Sequence, residues 1–341
     1  MSEIRNHWYV AVASSQLRDK PRAARVLDLD LALFRDREGQ VRALLDRCPH
    51  RGVKLSLGRV TDGALACGYH GWRFDGSGAC VQIPSLVQGQ RIAKGCAVAS
   101  FRTVEQEGYV WIWVGDLDPG SILPSRIADF ARKRWLQGSV DVQCDALKLI
   151  ENNVDWCHAY FAHPQTHPAY SAMAERGLRD QQYEVRVSEV GLVVFAPVTA
   201  SEQDPIPDQS LGKLTYELPG RITVEFSPRP GKRLRVVLHV VPTGRNSCRL
   251  EWLFAPNPIP VFGGQLRWTS REPKVIRQDR VLLESSQPWY DAAREGECFE
   301  RSVEADTATL LIRRIHDLAV DGTWQQKWST LPRRRVVDVR A

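Results

Sequence analysis

The chain has no long apolar run. Nowhere in its 341 residues is there an uninterrupted hydrophobic stretch of the length that a helix needs to cross a bilayer. The opening Met1-Ser-Glu-Ile-Arg-Asn-His-Trp8 also lacks the apolar region of a secretory signal peptide. The sequence therefore predicts a cytoplasmic protein with no membrane partner.

Basic residues are not concentrated anywhere before Arg333-Arg334-Arg335. The 46 basic and 40 acidic residues leave a net charge of +6. Because nucleic-acid-binding proteins carry a basic patch or stripe, we expect no nucleic-acid partner. The small surplus is compatible with solubility, with docking of an acidic redox protein or with mild attraction of anionic substrates.

Six of the eight cysteines show no pairing pattern. In a long chain with no disulfide framework, scattered cysteines are predicted to be buried free thiols. They are Cys80, Cys96, Cys144, Cys157, Cys248 and Cys298.

The other two cysteines each stand near a histidine. The pattern is Cys48-x-His50, sixteen further residues, then Cys67-x-x-His70. Two thiolates and two imidazoles are the ligands of a Rieske cluster, in which one iron takes both sulfurs and the other takes both ring nitrogens. A structural zinc site is the alternative, but zinc fingers place a cysteine pair first and a histidine pair second. The residues favour a [2Fe-2S] cluster, and residues 5–115 resemble a Rieske iron-sulfur domain.

Turn residues divide the chain after an aromatic strand. Gly115-Asp-Leu-Asp-Pro-Gly120 follows that strand, so the sequence predicts a boundary near residue 117, with a Rieske domain in 1–117 and a catalytic domain in 118–341. Strands of an all-β first domain are expected at 8–13, 26–34, 41–45, 64–66, 81–83 and 109–114.

The second part shows strand patterns followed by helical ones. Antiparallel strands with helices beside them indicate an α+β domain with room for a pocket. Strands are expected at 138–145, 181–188, 191–198, 221–227, 234–242 and 247–255, and helices at 146–160, 268–287 and 303–319.

Two histidines and an acid fall within nine positions in the run from Asn152 to Pro164. Asp155 and His158 share a helix face, but His158 and His163 are five apart and diverge by about 140° on a regular helix. They can meet at one ion only if the helix bulges or breaks between them, which the following proline favours. Alone, such histidines would more often cap a helix or pack in a core. Beside a Rieske centre they indicate an iron held by two histidines and a carboxylate.

Asp279 is the predicted third ligand. It lies within a helical stripe whose other members are Val275, Ile276, Leu282, Leu283 and Ser286. A buried carboxylate must be paired or bind a metal. An ion pair with Arg277 or Arg280 is the alternative, and Glu284 is a competing carboxylate one position off the stripe.

Over nearly its whole length the chain resembles the Rieske non-haem iron oxygenases. The motifs are the two cluster loops, Asn-x-x-Asp-x-x-His-x4-His at 152–163, and the late segment from Gln278-Asp279 to Gln287-Pro288. The pattern is most similar to the branch of vanillate O-demethylase, dicamba monooxygenase and toluenesulfonate methyl-monooxygenase. The resemblance implies a helix-grip, START-like catalytic domain with mononuclear Fe(II) on His158, His163 and Asp279.

The resemblance also implies how the centres communicate. Asp155 would bridge His158 and the cluster ligand His70 of the next chain, in a head-to-tail ring that is most often a homotrimer. A carboxylate between two metal-bound imidazoles orients both rings. Asn152 matches the asparagine of the motif and is assigned a supporting role beside the iron.

The predicted function is that of a terminal oxygenase. A flavin and iron-sulfur reductase, or a ferredoxin, would pass NAD(P)H electrons to the cluster, and the iron would use O2 to hydroxylate or oxidatively demethylate a small aromatic substrate. A cis-dihydroxylating ring dioxygenase is one alternative, although such subunits are typically longer. A Rieske electron-transfer protein is another, and the paired histidines argue against it.

Overall fold

The structure, a computed structural model, describes residues 3–132, 135–163, 177, 180–199, 212–229, 232–255 and 272–340. The chain divides into two units, Arg5–Phe130 and Met1–Ile4 with Ala131–Ala341. The segment after residue 117 stays with the first unit: the indole of Trp8 donates to the carbonyl of Ile122 at 2.9 Å. The contacts within the chain thus divide the two units at residue 130. The domain boundary near residue 117 stays a prediction.

The first unit consists of short antiparallel strands in three sheets. Their orders are β1-β11-β10, β2-β3-β4-β9 and β5-β6-β7-β8. The strands are β1 His7–Ala13, β2 Arg22–Val26, β3 Leu29–Arg35, β4 Val41–Leu45, β5 Arg59–Thr61, β6 Ala64–Ala66, β7 Arg73–Phe74, β8 Cys80–Gln82, β9 Ser100–Phe101, β10 Thr103–Gln106 and β11 Tyr109–Val114.

The strand predicted at 26–34 is instead a turn followed by a strand. Leu27 and Asp28 have φ of 48° and 60°, and they join β2 to β3 as a two-residue hairpin. Both central residues of such a turn need positive φ, which matches the twist of the flanking strands. The prediction was wrong here because the alternation of apolar and acidic residues continues through the turn.

The described residues of the second unit form an eight-stranded antiparallel sheet. Its order is β12-β18-β17-β16-β15-β14-β13-β19. The strands are β12 Leu136–Val142, β13 Asp180–Ser188, β14 Gly191–Thr199, β15 Lys213–Glu217, β16 Arg221–Arg229, β17 Lys232–Gly244, β18 Ser247–Ala255 and β19 Arg334–Arg340. The helices are α1 Ala146–Val154, α2 Ala159–Ala162, α3 Lys274–Arg294, α4 Thr307–Val320 and α5 Trp324–Lys327.

The helices and one face of this sheet share a hydrophobic core. Leu234, Leu238 and other alternate residues of β17 belong to it, together with Leu149 of α1, Leu283 of α3 and Ile312 of α4. Burying such side chains stabilises the fold by about 1.5–3 kcal/mol each. The predicted α+β class is confirmed. None of the described helices is long and apolar enough to cross a bilayer.

The boundaries of two predicted helices were wrong. The helix expected at 146–160 stops at Val154, because Asp155 is extended with φ −80° and ψ 119°. The helix expected at 268–287 begins at Lys274, after Pro273, and continues through Pro288 to Arg294. Residues 268–271 lie outside the described residues. Buried Gln287 and Tyr290 flank Pro288, so packing on both sides favours the helix despite the missing N–H.

Candidate metal centres

The two cysteine-histidine loops have the same turn geometry. In each loop the cysteine N–H donates to the carbonyl five residues on, and a glycine four residues on donates back to the cysteine carbonyl. The glycines, Gly52 and Gly71, have φ of 73° and 71°, which side-chain-bearing residues rarely adopt. The bonds are Cys48 to Val53 at 2.9 Å, Gly52 to Cys48 at 2.9 Å, Cys67 to Trp72 at 2.8 Å and Gly71 to Cys67 at 3.1 Å.

These turns bring like ligand atoms together. The thiols of Cys48 and Cys67 are both buried and contact each other, while the rings of His50 and His70 meet edge-on with centroids 4.5 Å apart. A Rieske cluster needs this pairing, with sulfurs on one iron and nitrogens on the other. Burial, followed by the neighbouring Cys67 thiol, raises the pKa of Cys48 to about 11. Bound metal would supply the positive charge that stabilises both thiolates.

A buried aspartate that sequence reasoning missed supports the first loop. Asp46 lies just after β4 and is 4% exposed. It accepts hydrogen bonds from the backbone N–H and the hydroxyl of Ser56, at 2.7 and 2.6 Å. The acid within Leu44-Leu45-Asp46 was an available signal, because a buried carboxylate must have donors.

His158 and His163 stand at the two ends of the four-residue helix α2. His158 is its N-cap residue, and His163 follows its last residue with φ −118° and ψ 45°. The helix α1 ends before His158, because Asp155 is extended, and His163 leaves the helical conformation at the end of α2. The two histidines are therefore not held in a regular helix that would make them diverge, and their imidazole centroids are 5.1 Å apart.

Asp279 of α3 meets both histidines. Its Oδ1 is 3.5 Å from Nε2 of His158 and 3.2 Å from Nε2 of His163. The ligand atoms of the three residues all lie within 4.8 Å of one another. The predicted helical stripe therefore places its carboxylate where the histidines converge.

The hydrogen bonds of the site fit a cation. Nδ1 of His158 donates to the backbone carbonyl of Asp155 at 2.7 Å, and Nδ1 of His163 donates to Oε1 of Gln278 at 3.2 Å. Each Nε2 therefore presents a lone pair to Asp279. The Oδ1 of Asp279 is buried and receives no hydrogen bond from the described residues. Three converging acceptors with no donor between them fit a metal ion of the two-histidine, one-carboxylate type.

Without a metal ion, the electrostatics of the site favour a protonated His158 beside an anionic Asp279. Burial alone would raise the pKa of Asp279, but the two histidines lower it to about 2. Burial would lower the pKa of His158, yet Asp279 and then Asp155 raise it. Asp279 is therefore an anion throughout the physiological pH range.

The arginines that could pair with Asp279, and the glutamate that could replace it as a ligand, have other partners. Arg280 and Arg277 pair with Glu272, at 2.7 and 3.9 Å. The carboxylate of Glu284 accepts from the backbone N–H of Gln143 at 3.0 Å. The predicted buried stripe was wrong at two positions, because Leu282 and Ser286 are exposed. The buried residues of α3 are Ile276, Asp279, Leu283, Gln287 and Tyr290.

Asp155 contacts His158, and Asn152 precedes Asp155 by three residues. Oδ1 of Asp155 accepts from the N–H of Cys157 at 2.7 Å, and its Oδ2 is 3.8 Å from Nδ1 of His158. Burial raises the pKa of Asp155. Asn152 is on α1, and its Nδ2 is buried without a hydrogen bond to the described residues. The roles predicted for both residues stay predictions.

Two protein-family descriptions match the chain. Residues 7–102 match a Rieske [2Fe-2S] domain. Residues 142–322 match the vanillate O-demethylase oxygenase C-terminal domain. The first match contains both cluster loops. The second contains the three converging residues His158, His163 and Asp279.

Curated relatives are similar over about half of their own length. The oxygenase component of dicamba O-demethylase from Stenotrophomonas maltophilia is 42% identical over 168 residues, covering 48% of this chain and 48% of that protein. The vanillate O-demethylase oxygenase subunit of Pseudomonas sp. strain HR199 is 35% identical over 162 residues, covering 47% and 45%.

A solved structure is similar along the whole chain. Dicamba monooxygenase with non-heme iron and dicamba matches with a TM-score of 0.72 and 25% identity, over 97% of this chain and 100% of that one. The resemblance that the sequence motifs indicated is thereby confirmed. The oxygenase description covers more than half of the chain, and the Rieske [2Fe-2S] domain precedes the oxygenase domain. The protein therefore belongs to the family of Rieske oxygenases that includes vanillate O-demethylase.

Proposed function

We propose that the chain is the terminal oxygenase component of a multicomponent Rieske oxygenase. The observation that carries this proposal is the convergence of His158, His163 and Asp279, whose ligand atoms lie within 4.8 Å of one another, in a chain that also has a Rieske domain. A simple electron carrier needs no such second site. An iron with two histidines and one carboxylate keeps open positions for dioxygen.

The two cysteine-histidine loops would hold the cluster, and the two histidines with Asp279 would hold the mononuclear iron. Cys48 and Cys67 would bind one cluster iron, and His50 and His70 the other, and the cluster would store one electron. The iron at His158, His163 and Asp279 would supply the dioxygen chemistry when bound. The buried anion of Asp279 would offset part of the charge of Fe(II), and α3 places it opposite the two histidines that flank α2.

Asp155 would connect the two centres. Its Oδ1 is occupied by the N–H of Cys157, which leaves Oδ2 directed to the Nδ1 side of His158. In the proposed ring, that carboxylate would accept a hydrogen bond from His70 of an adjacent copy. On the His158 side the connection would run through the backbone carbonyl of Asp155, which accepts from Nδ1 of His158 at 2.7 Å. One residue would then contact the imidazoles of both centres and give electrons a short path.

The remaining parts of the proposal concern partners and substrate. We propose electron delivery from NAD(P)H through a flavin and iron-sulfur reductase or a ferredoxin, a homotrimeric ring, and a cytoplasmic location. The substrate would be a small aromatic compound that is hydroxylated or loses an O- or N-methyl group as formaldehyde. The names of the relatives, which are oxygenase components and subunits of O-demethylases, support this choice.

Oxygen consumption with a surrogate reductase tests the proposal. The purified protein, NADH and a panel of methoxylated and methylated aromatic compounds should show substrate-dependent O2 uptake. Under labelled dioxygen, one labelled oxygen atom should enter the hydroxylated product or, where a methyl group is lost, the formaldehyde that leaves. Asp279→Ala is the control, because it should keep the cluster absorbance and form no product. Two labelled atoms would indicate a dioxygenase, and reduction of the cluster with no product from any compound would favour an electron carrier.

A further inference from the structure

Consecutive residues of α3 hold both ring nitrogens of His163. Nε2 lies 3.2 Å from Oδ1 of Asp279, and Nδ1 lies 3.2 Å from Oε1 of Gln278. Neighbouring positions on a helix project about 100° apart, which lets the two side chains reach different edges of one imidazole. The residue His163 is 2% exposed. Turning it over would break both contacts inside a packed environment.

His158 obtains the same orientation in another way. Its Nδ1 donates to the backbone carbonyl of Asp155 at 2.7 Å, in the extended residue that follows α1. A backbone acceptor is part of the chain path and survives any change of side chain. The orientation of His163 depends instead on a side chain, which a substitution can remove.

We propose that Gln278 is a positioning residue that keeps the proton of His163 on Nδ1 and so presents Nε2 to the iron. This inference rests on the proposed function, because it assumes that His163 is a ligand. A neutral imidazole has one proton, and the hydrogen bond made by one nitrogen decides whether the other has a free lone pair. A carbonyl oxygen such as Oε1 can only accept, so it selects the tautomer with the proton on Nδ1.

The place of Gln278 next to Asp279 gives the arrangement a physical advantage. One turn of α3 carries both the anionic ligand Asp279 and the side chain that orients the ligand His163. The helix therefore fixes the spacing between Asp279 and Gln278. The amide is neutral and adds no second anion to the site. Removal of such outer partners lowers metal affinity by about 10–100-fold in known metal sites.

Metal affinity measured on the iron-depleted protein tests this role without any turnover. Iron would be removed from the mononuclear site while the cluster absorbance is monitored, and Fe(II) and Co(II) would then be titrated against a competing chelator. We expect Gln278→Leu to weaken binding of both metals by about 10–100-fold and to change the visible spectrum of bound cobalt. Gln278→Glu keeps an acceptor and should bind at least as tightly as the wild type.

Two further variants complete the design. Gln326→Leu, the same change at an exposed position of α5, should leave affinity and spectrum unchanged. Gln278→Asn keeps an amide but withdraws it by one methylene, so it should also weaken binding, and it decides the question if Gln278→Leu does not fold. Wild-type affinity and cobalt spectrum in the folded Leu and Asn variants would overturn the role of Gln278. If the wild type binds neither metal, or if His163→Ala binds as tightly as the wild type, the proposed function itself fails.

Discussion

Asp279 shows how one residue can indicate a metal before any metal is seen. It is 9% exposed, it is an anion, and its Oδ1 receives no hydrogen bond from the described residues. A buried carboxylate in this condition costs several kcal/mol unless a cation compensates it. The nearby arginines are paired elsewhere, so the compensation comes from the two facing histidines, either in protonated form or through a metal that both bind.

His239 gives a prediction about pH at the same scale. It lies on β17 between Arg221 of β16 and Glu251 of β18, and burial, followed by the charge of Arg221, lowers its pKa to about 3. Between that value and about 6.5 the unfolded chain binds a proton that the folded chain does not. Stability should therefore fall as pH falls through this window, by up to about 1.4 kcal/mol per pH unit.

The comparison of wild type with His239→Gln isolates this contribution. The glutamine stays neutral, so its free energy of unfolding should depend less steeply on pH between 6.5 and 4. Chemical denaturation at several pH values measures both slopes. Parallel slopes would show that burial does not depress the pKa of His239.

At the residue scale the sequence predicted which ligands converge but not what supports them. Spacing and residue type predicted the four cluster ligands Cys48, His50, Cys67 and His70. The structure places the two thiols beside each other and the two imidazoles beside each other. Gln278 stood in one of the motifs but no role was predicted for it, because helical spacing describes a residue's face and not the atom that its side chain reaches.

Among the elements, α1 and α4 are joined by a buried ion pair. Glu151 of α1 accepts two hydrogen bonds from the guanidinium of Arg313 of α4, both at 2.7 Å. The side chain of Glu151 is 8% exposed, and burial raises its pKa despite the arginine. Because α1 leads directly into the segment that carries His158, this pair also fixes the position of the site.

Arg313→Met should be strongly destabilising, since it leaves Glu151 buried without its partner. We expect a loss of about 3–5 kcal/mol in the free energy of unfolding, measured by chemical denaturation. The double variant Glu151→Met with Arg313→Met should recover most of that loss. Arg245→Met is the control, because its pair with Glu295 is exposed and should contribute about 0–1 kcal/mol. Equal losses for Arg313→Met and the control would contradict the account.

Elements with clear periodicity were predicted well, and the others failed for identifiable reasons. Strands at 181–188, 191–198 and 247–255 agree with β13, β14 and β18 within a residue. The strand β19 was not predicted because Arg334–Arg340 is highly charged, yet it pairs with β13 and buries Val337 and Val339. The break at Asp155 was also missed, since the helical composition continues past it.

At the scale of the whole molecule, we predict that electrons cross between copies of the chain. His70→Ala should remove a functional cluster, and Asp279→Ala should remove the iron. Each variant alone should be inactive. Hybrids formed by co-expression should regain part of the activity, because the intact cluster of one variant can serve the intact iron site of the other.

Hybrid activity no greater than that of the two parent variants would contradict this prediction, as would a monomer in sedimentation. The ring itself came from the family resemblance alone. A pattern of apolar and polar residues describes what one chain buries, and a head-to-tail contact depends on two surfaces whose match no local pattern in one chain encodes.

The central claim is that each chain holds two distinct metal centres, and metal analysis of the wild type beside Asp279→Ala tests it most directly. Iron and acid-labile sulfide would be measured per chain after anaerobic reconstitution, with cluster absorbance as the check on folding. The account predicts about three irons and two sulfides in the wild type, and about two of each in the variant. Two irons in both proteins, with no iron lost on removing Asp279, would contradict it.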